Sequence, residues 1–391
     1  MPNQLLLGID CGTSNVRMAL FDSAGNCYAD RKKALVTGET SDQGFAEQNP
    51  NAWWENLLQL LQEICNEEVA QSIVGLGLCA TCSTLVITDD QLHPLHNAIL
   101  WMDGRASGEA SELQALYPGQ SVSPYQAAPK LLWLAHHAPH LLQGSNKVLE
   151  AASWLVGKLT GNLWLSSIVA ETVWGILPHD LLRHHILGSK YEAFRAEIAK
   201  PTAQAGVLQN SVGPLSKIIP PKQTVTVAVG GNDGMHAAFA GDLMSDVPTM
   251  VEVGGTSYVL FMQGRNPSGE GVEFCAHPFM SKGCVAYNSL ITKDYAISEL
   301  GHRIQALADT LWESMGVTPQ RSVLVGGWAN DPLLRNLRAQ NLLSKNVQCL
   351  TTDMPDYAGC LGAAMSAACA CGIYKNMPEA CARMHPRLRT A

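Results

Sequence analysis

The chain lacks any run near the roughly 20 apolar residues that a membrane-spanning helix needs, so no such helix is expected in its 391 residues. Behind Met1-Pro-Asn-Gln4 there is neither a basic n-region nor a small-residue cleavage site. That argues against a secretory leader and for the cytoplasm. Basic clusters are missing too. The 26 Lys and Arg stand against 34 Asp and Glu, a net charge of −8, which makes nucleic acid a poor partner. No Gly-Lys-Ser/Thr ending occurs in a glycine-rich loop, which excludes a P-loop. Cys79-x-x-Cys82 has no second cysteine pair at zinc-ribbon spacing. The 12 cysteines, several of them in apolar stretches (Cys79, Cys349, Cys360, Cys369), read as reduced and buried. The neighbouring pairs His136-His137 and His184-His185 would point to different helix faces, so surface or packing roles are expected.

What is present is a globular composition, 47% hydrophobic and 15% charged, with a length that predicts two domains. Leu5–Ile9, Val16–Phe21 and Cys27–Asp30 read as strands separated by turns. Positions 54, 57, 58, 60, 61 and 64 make an amphipathic helix over Trp53–Cys65, with Trp54 on its buried face. Short strands are predicted at Val74–Leu78 and Thr84–Thr88, and helices at Pro129–His136 and Ser153–Leu159, the latter stopped by Gly161. After the proline-containing region Val212–Pro221 comes a strand, Val225–Val229, then Gly230-Gly-Asn-Asp-Gly234 and an alanine-rich helix from Met235 to Ala240. Met250–Val253, Gly254-Gly-Thr-Ser257 and Tyr258–Phe261 then repeat the opening layout of strand, Gly-hydroxyl turn, strand. That internal echo is expected of a duplicated α/β protein. Ser322–Val325, Gly326-Gly-Trp-Ala-Asn330, a helix over Pro332–Leu343 and a small-residue helix over Gly359–Ala368 complete the chain.

The first turn, Asp10-Cys-Gly-Thr-Ser-Asn-Val-Arg17, reads either as a capped hairpin or as a phosphate clamp. In the clamp, Gly12 admits close backbone approach, Thr13 and Ser14 offer hydroxyls and amides, and Arg17 adds positive charge. Asp10 at the strand end suits a hydrated Mg²⁺. Gly255, Thr256 and Ser257 offer the same chemistry from the second copy. Asp233 follows an apolar strand at a sharp turn. It reads as a general base for an acceptor hydroxyl or, with Asn232, as an ordinary helix cap. Gly326, Gly327 and Asn330 form either a bare-backbone seat for adenine or a plain β-α turn. Trp53, Trp54, Trp101 and Trp133 are candidate sugar-facing walls, and Lys130 reads as a solvated lysine at a helix start.

In their order these elements resemble the FGGY family of carbohydrate kinases. Asp10–Arg17 is similar to its first phosphate motif, Glu47-Gln-Asn-Pro50 with Trp53-Trp54 to its Glu-Gln-x-Pro-x-x-Trp-Trp element, and Trp101-Met-Asp-Gly-Arg105 to its Trp-x-Asp-x-Arg signature. Pro129-Lys-Leu-Leu-Trp-Leu134 resembles its Pro-Lys-Leu-x-Trp-Leu helix. Gly254–Ser257 resembles the second phosphate motif and Gly326–Asn330 the adenosine motif. The resemblance implies a two-domain α/β fold of the ribonuclease H-like, actin/hexokinase ATPase type around a central cleft. It places a sugar-binding domain at 1–236 and a shortened nucleotide-binding domain at 237–391. It implies ATP and Mg²⁺ as cofactors, Asp233 and Asp10 as catalytic, and Asp10, Thr81, Ser83 and Asp233 toward the sugar. Ala80-Thr-Cys-Ser83 is similar to the ribulokinase-type loop, and only 68 residues separate Ser257 from Gly326. The loop implies D-ribulose as the acceptor, and the short second half, which resembles that of the shortened plant and cyanobacterial ribulose kinase-like subgroup, supports the same acceptor. The alternatives are D-xylulose, another ketose or a polyol, or a weakly catalytic sugar- or nucleotide-sensing protein. A monomer or homodimer is expected.

Overall fold

Leu5 to Cys11 is buried along its whole length, the pattern of a strand covered on both faces. The computed structural model describes residues 4–38, 44–119, 121–170, 197–208, 223–264, 272–276, 278–279, 284–292 and 295–391. The His184-His185 pair and the segment 212–221 lie outside them. The first mixed sheet contains β1 (Leu5–Cys11), β2 (Asn15–Phe21), β3 (Cys27–Ala34), β4 (Ile73–Ala80), β5 (Gln204–Val207) and β6 (Thr226–Ala228), in the order β5-β6-β4-β1-β2-β3. β1, β2 and β3 form an antiparallel meander, while β4 runs parallel to β1 and β6 parallel to β4.

One face of this sheet carries Leu5, Leu7 and Ile9 against α1 (Pro50–Ile64). Pro at the first turn and the Asn49 side chain, which accepts from Asn51 N, start that helix. Trp53, not Trp54, takes the fully buried position. Its indole N–H reaches Gln48 at 2.9 Å, a polar partner that a hydrophobic period cannot register. A small four-stranded sheet packs under α2 (Ala127–His137), and α3 (Ala151–Thr160) ends at Gly161 with φ +76.

Next come α4 (Asp233–Ala240) and a second seven-stranded sheet: β7 (Thr249–Gly254), β8 (Ser257–Gly264), β9 (Glu273–Ala276), β10 (Cys284–Ile291), β11 (Arg321–Gly326), β12 (Gln348–Thr352) and β13 (Leu388–Thr390). Their order is β9-β10-β8-β7-β11-β12-β13. An antiparallel meander (β7, β8, β10) with β11 parallel to β7 and β12 parallel to β11 repeats the first sheet's plan. The echo in the sequence is therefore an echo in topology. α5 (Ile297–Met315) and α6 (Pro332–Leu343) cover its outer face. There Arg338 of α6 makes two bonds, 2.8 and 2.9 Å, to the carboxylate of Glu252 on β7, and Tyr258 and Ser322 donate to the same group.

Between the sheets lie α4 and α7 (Ala358–Ala370), packed with Leu6, Ala19 and Phe21 from one sheet and Val251, Phe261 and Val323 from the other. α7 approaches the first sheet as closely as backbone allows. A Cβ on Gly8 would stand 1.9 Å from the Cys360 carbonyl oxygen, and one on Gly77 would stand 1.8 Å from that of Ala363. Neither obstacle is a side chain that could swing aside. Gly77→Ala should therefore cost about 3 kcal/mol, the upper end for overpacking. The cost would be read as a lower urea midpoint against Gly108→Ala, whose added methyl meets nothing within 4 Å. Equal midpoints for the two variants would disprove this account.

Candidate active site

The two Gly-hydroxyl turns come from equivalent corners of the two sheets and meet. Gly12 N bonds Asn15 O at 3.0 Å to close the β1–β2 turn, and Gly255 N bonds Ser257 O at 2.7 Å to close the β7–β8 turn. Across the cleft Ser14 Oγ lies 3.3 Å from Thr256 Oγ1. Each turn is braced from behind. Gln48 donates to Thr13 O at 2.6 Å and the Trp101 indole to Thr13 Oγ1 at 3.0 Å. Thr292 donates through its hydroxyl to the Gly255 and Thr256 carbonyls, both at 3.1 Å, and the Trp328 indole to Gly255 O at 2.8 Å. Motif reading missed Gln48, Thr292 and Trp328 as turn braces, because they act through side chains on turns distant in sequence.

Asp233 reaches the same space through local chain geometry. Gly230 has φ +68, and a Cβ there would stand 1.8 Å from Leu78 O, so only glycine allows the chain to turn this close to β4. The cap of α4 falls to Asn232, whose side chain accepts from Met235 N at 2.7 Å. Asp233 accepts from the Gly234 amide, at 2.8 Å. His236 fastens the turn, with Nδ1 2.7 Å from Asn232 O and Nε2 3.2 Å from Ser366 Oγ of α7. Burial draws its imidazole down to about 4, so it stays neutral.

These parts line one cavity of about 1150 Å³. It receives Asp10, Gly12, Thr13, Ser14 and Arg17 from the first turn, and Gly255, Thr256 and Ser257 from the second. Gly326, Gly327 and Asn330 come from the turn after β11, with Asp233 and Ser83 beside them. Thr81 does not line it. That side chain is buried with its hydroxyl 2.5 Å from that of Thr84. Of the four tryptophans considered as walls, Trp101 faces the cavity, whereas Trp133 stacks on His137 and Trp53 belongs to the core. Lys130 is fully buried rather than solvated.

Electrostatically the site is dominated by carboxylates. Burial raises Asp10, and Arg17, 3.7 Å away, opposes that rise. Burial and the charge of Asp10 push Asp233 up to about 7, against the Gly234 amide. The arrangement offers a basic carboxylate, a second acid beside it, and two sets of amides and hydroxyls able to receive an anion. Cys79, Cys349, Cys360 and Cys369 are free thiols. Among the described residues no cluster of three metal-ligating side chains occurs, and no helix is long and apolar enough to cross a membrane.

Residues 5–173 match the model of the FGGY family of carbohydrate kinases, N-terminal domain. Over that segment, less than half of its length, the chain is similar to this family. It is 30% identical over 283 residues to the xylulose kinase of Escherichia coli K12, covering 66% of this chain and 54% of that protein. The chain thus spans about half the length of the curated relatives it matches. Among solved structures, a xyloylose kinase from Brucella ovis superposes with a TM-score of 0.81 at 19% identity, covering 99% of this chain and 94% of that one. The glycerol kinase of Plasmodium falciparum with ADP gives 0.78 at 16%, covering 98% and 93%. The fold is therefore the two-domain actin-like α/β architecture of the FGGY sugar kinases.

The raised Asp233 has a consequence for stability. An Asp whose folded pKa exceeds its unfolded value of 3.8 binds its proton more tightly in the folded state. It therefore costs stability progressively as pH rises from about 4 to about 7. Asp233→Asn removes that cost. Its urea midpoint should match wild type near pH 4 and exceed it at pH 8, and a constant offset across that range would show that Asp233 is not raised.

Proposed function

We propose that the chain is an ATP-dependent kinase that transfers the terminal phosphoryl group to the terminal hydroxyl of a free ketose. The observation that carries this reading is the meeting of Asp233 and two Gly-hydroxyl turns at one cavity. A phosphoryl acceptor needs a carboxylate to orient its hydroxyl and take its proton. A carboxylate near 7 is basic enough to do so and ionised enough to begin. The amides and hydroxyls of Thr13, Ser14, Gly255 and Thr256 would bind phosphate oxygens from opposite sides. Gly326, Gly327 and Asn330 would seat the adenosine. Asp10 lines the cavity and Asp356 is close enough to raise it, so this carboxylate would suit a magnesium ion held by carboxylate and water, which would neutralise phosphate charge when bound.

For the acceptor, D-xylulose is better supported than D-ribulose. Relatives matched over about two thirds of this chain at 25–30% identity are named xylulose kinases, whereas D-ribulose rests on the Ala80–Ser83 loop and the short second half alone. A panel of free ketoses, aldoses and polyols with an ADP-coupled readout tests both. The highest kcat/KM should fall on D-xylulose, and a higher value on D-ribulose would reverse the order. No rate above the sugar-free background with any acceptor would end the kinase reading.

Asp233→Asn should lower kcat by about 10²–10⁴-fold, the usual worth of a general base, while calorimetry shows ATP binding retained. In wild type, kcat/KM for the acceptor should fall as pH drops below about 7, where Asp233 takes up its proton. An acid limb centred near 4 would remove Asp233 from that role.

A further inference from the structure

Lys130 sits in the first turn of α2, fully buried and outside the cavity wall. Its ammonium donates to three main-chain carbonyls: Leu100 O at 2.7 Å, Ser83 O at 3.2 Å and Trp101 O at 3.3 Å. An ammonium has three N–H donors and no acceptor, so these bonds use its full capacity and leave none for a ligand. The carbonyls belong to two segments far apart in sequence. Ser83 follows β4, and Leu100-Trp101 follows the short strand Ala98–Ile99.

Ser83 and Trp101 both line the cavity. Thr84 adds a second stitch, its hydroxyl accepting the Trp101 amide at 3.2 Å. Trp101 then carries the connection to the first phosphate turn through its bond to Thr13. Burial draws the lysine down to about 7, with Asp103 and Glu150 opposing that fall and Arg105 adding to it. Among the described residues nothing comparable ties this junction to the second turn, which is braced by Thr292 and Trp328.

We infer that Lys130 is a positioning residue that locks the Ser83 loop to the Trp101 segment and so sets the shape of the acceptor side of the cavity. It acts without touching the acceptor, and only the indirect Trp101–Thr13 bond reaches the nucleotide side, whose second turn is braced independently by Thr292 and Trp328. This inference rests on the kinase reading for its kinetic consequence, but the coupling of the two segments does not depend on it.

Lys130→Met keeps the stem and removes the three donors, leaving buried carbonyls unpaired. In the coupled assay the acceptor KM should rise about tenfold or more while the KM for ATP stays within about twofold, a split that a merely destabilised protein would not show. Equal shifts in both constants, or no shift in either, would overturn the inference. Amide exchange supplies an independent arm. Residues 82–85 and 100–103 should exchange faster in the variant, and residues 254–257 should not. Unchanged exchange in the first two segments overturns the inference even if wild type phosphorylates no sugar, an outcome that by itself defeats only the kinase reading. If Lys130→Met does not fold, Thr84→Val tests the same junction while keeping the lysine. An acceptor-only rise in KM of about threefold supports the inference, and an unchanged acceptor KM overturns it.

Discussion

The contact between α7 and the first sheet sets the geometry of the molecule. Because Gly8 and Gly77 have no Cβ, the helix backbone lies directly against β1 and β4, and the separation of the two sheets follows from that approach. The same helix fixes both acids. Gly359 passes the Asp10 carboxylate so closely that a Cβ there would stand 2.8 Å from it, and Gly362 lies against the His236 carbonyl at the start of α4. Asp10 rides on β1 and Asp233 on α4, so one small-residue helix determines where each stands relative to the other. Close packing transmits such constraints because an interior at crystal density has no slack to absorb a methyl group.

Holding Asp10 and Asp233 in a buried space works against stability. Each carboxyl is raised, and burial is the leading cause for both. A protein selected for stability alone would place an amide at one position. The site instead keeps Asn at 232, where it caps the helix, and Asp at 233, where the cavity is. That division of labour between neighbouring residues separates the structural requirement from the chemical one. By contrast, the buried Glu252 has an arginine and two hydroxyl donors and is held below the usual carboxylate range. Glu252 and Asp233 differ because the fold satisfies Glu252 with an arginine and two hydroxyls, whereas Asp233 faces the cavity.

Much of this was legible in the amino-acid order. Strands, turns and the repeated strand-turn-strand unit follow from apolar runs broken by glycine and hydroxyl residues, and the helix over Pro332–Leu343 has the predicted limits. What was not legible depends on polar partners supplied from elsewhere. Trp53 rather than Trp54 is buried because Gln48 receives its N–H. Thr81 turns inward because Thr84 meets its hydroxyl. Lys130 looked solvated because lysine usually is, although its setting in Ala-Ala-Pro-Lys-Leu-Leu-Trp-Leu, with no other charge nearby, was a sign of burial. The choice between base and cap at residues 232–233 needed backbone geometry, since both side chains are good caps.

Charge makes the last connection between fold and chemistry. Among the described residues lining the cavity, Asp10, Asp233, Glu273, Asp331 and Asp356 face a single guanidinium, Arg17, and Arg17 already lies beside Asp10. Bare triphosphate would be repelled from such a surface, so side-chain cations cannot be what admits it. Backbone amides at the two turns supply part of the answer, because their dipoles are fixed and require no counter-charge. On the kinase reading, a divalent cation carried with the nucleotide would supply the remainder and relieve the repulsion between the two raised carboxylates. On the kinase reading proposed above, such an acidic cavity would favour a neutral acceptor and nucleotide that arrives with its charge already reduced.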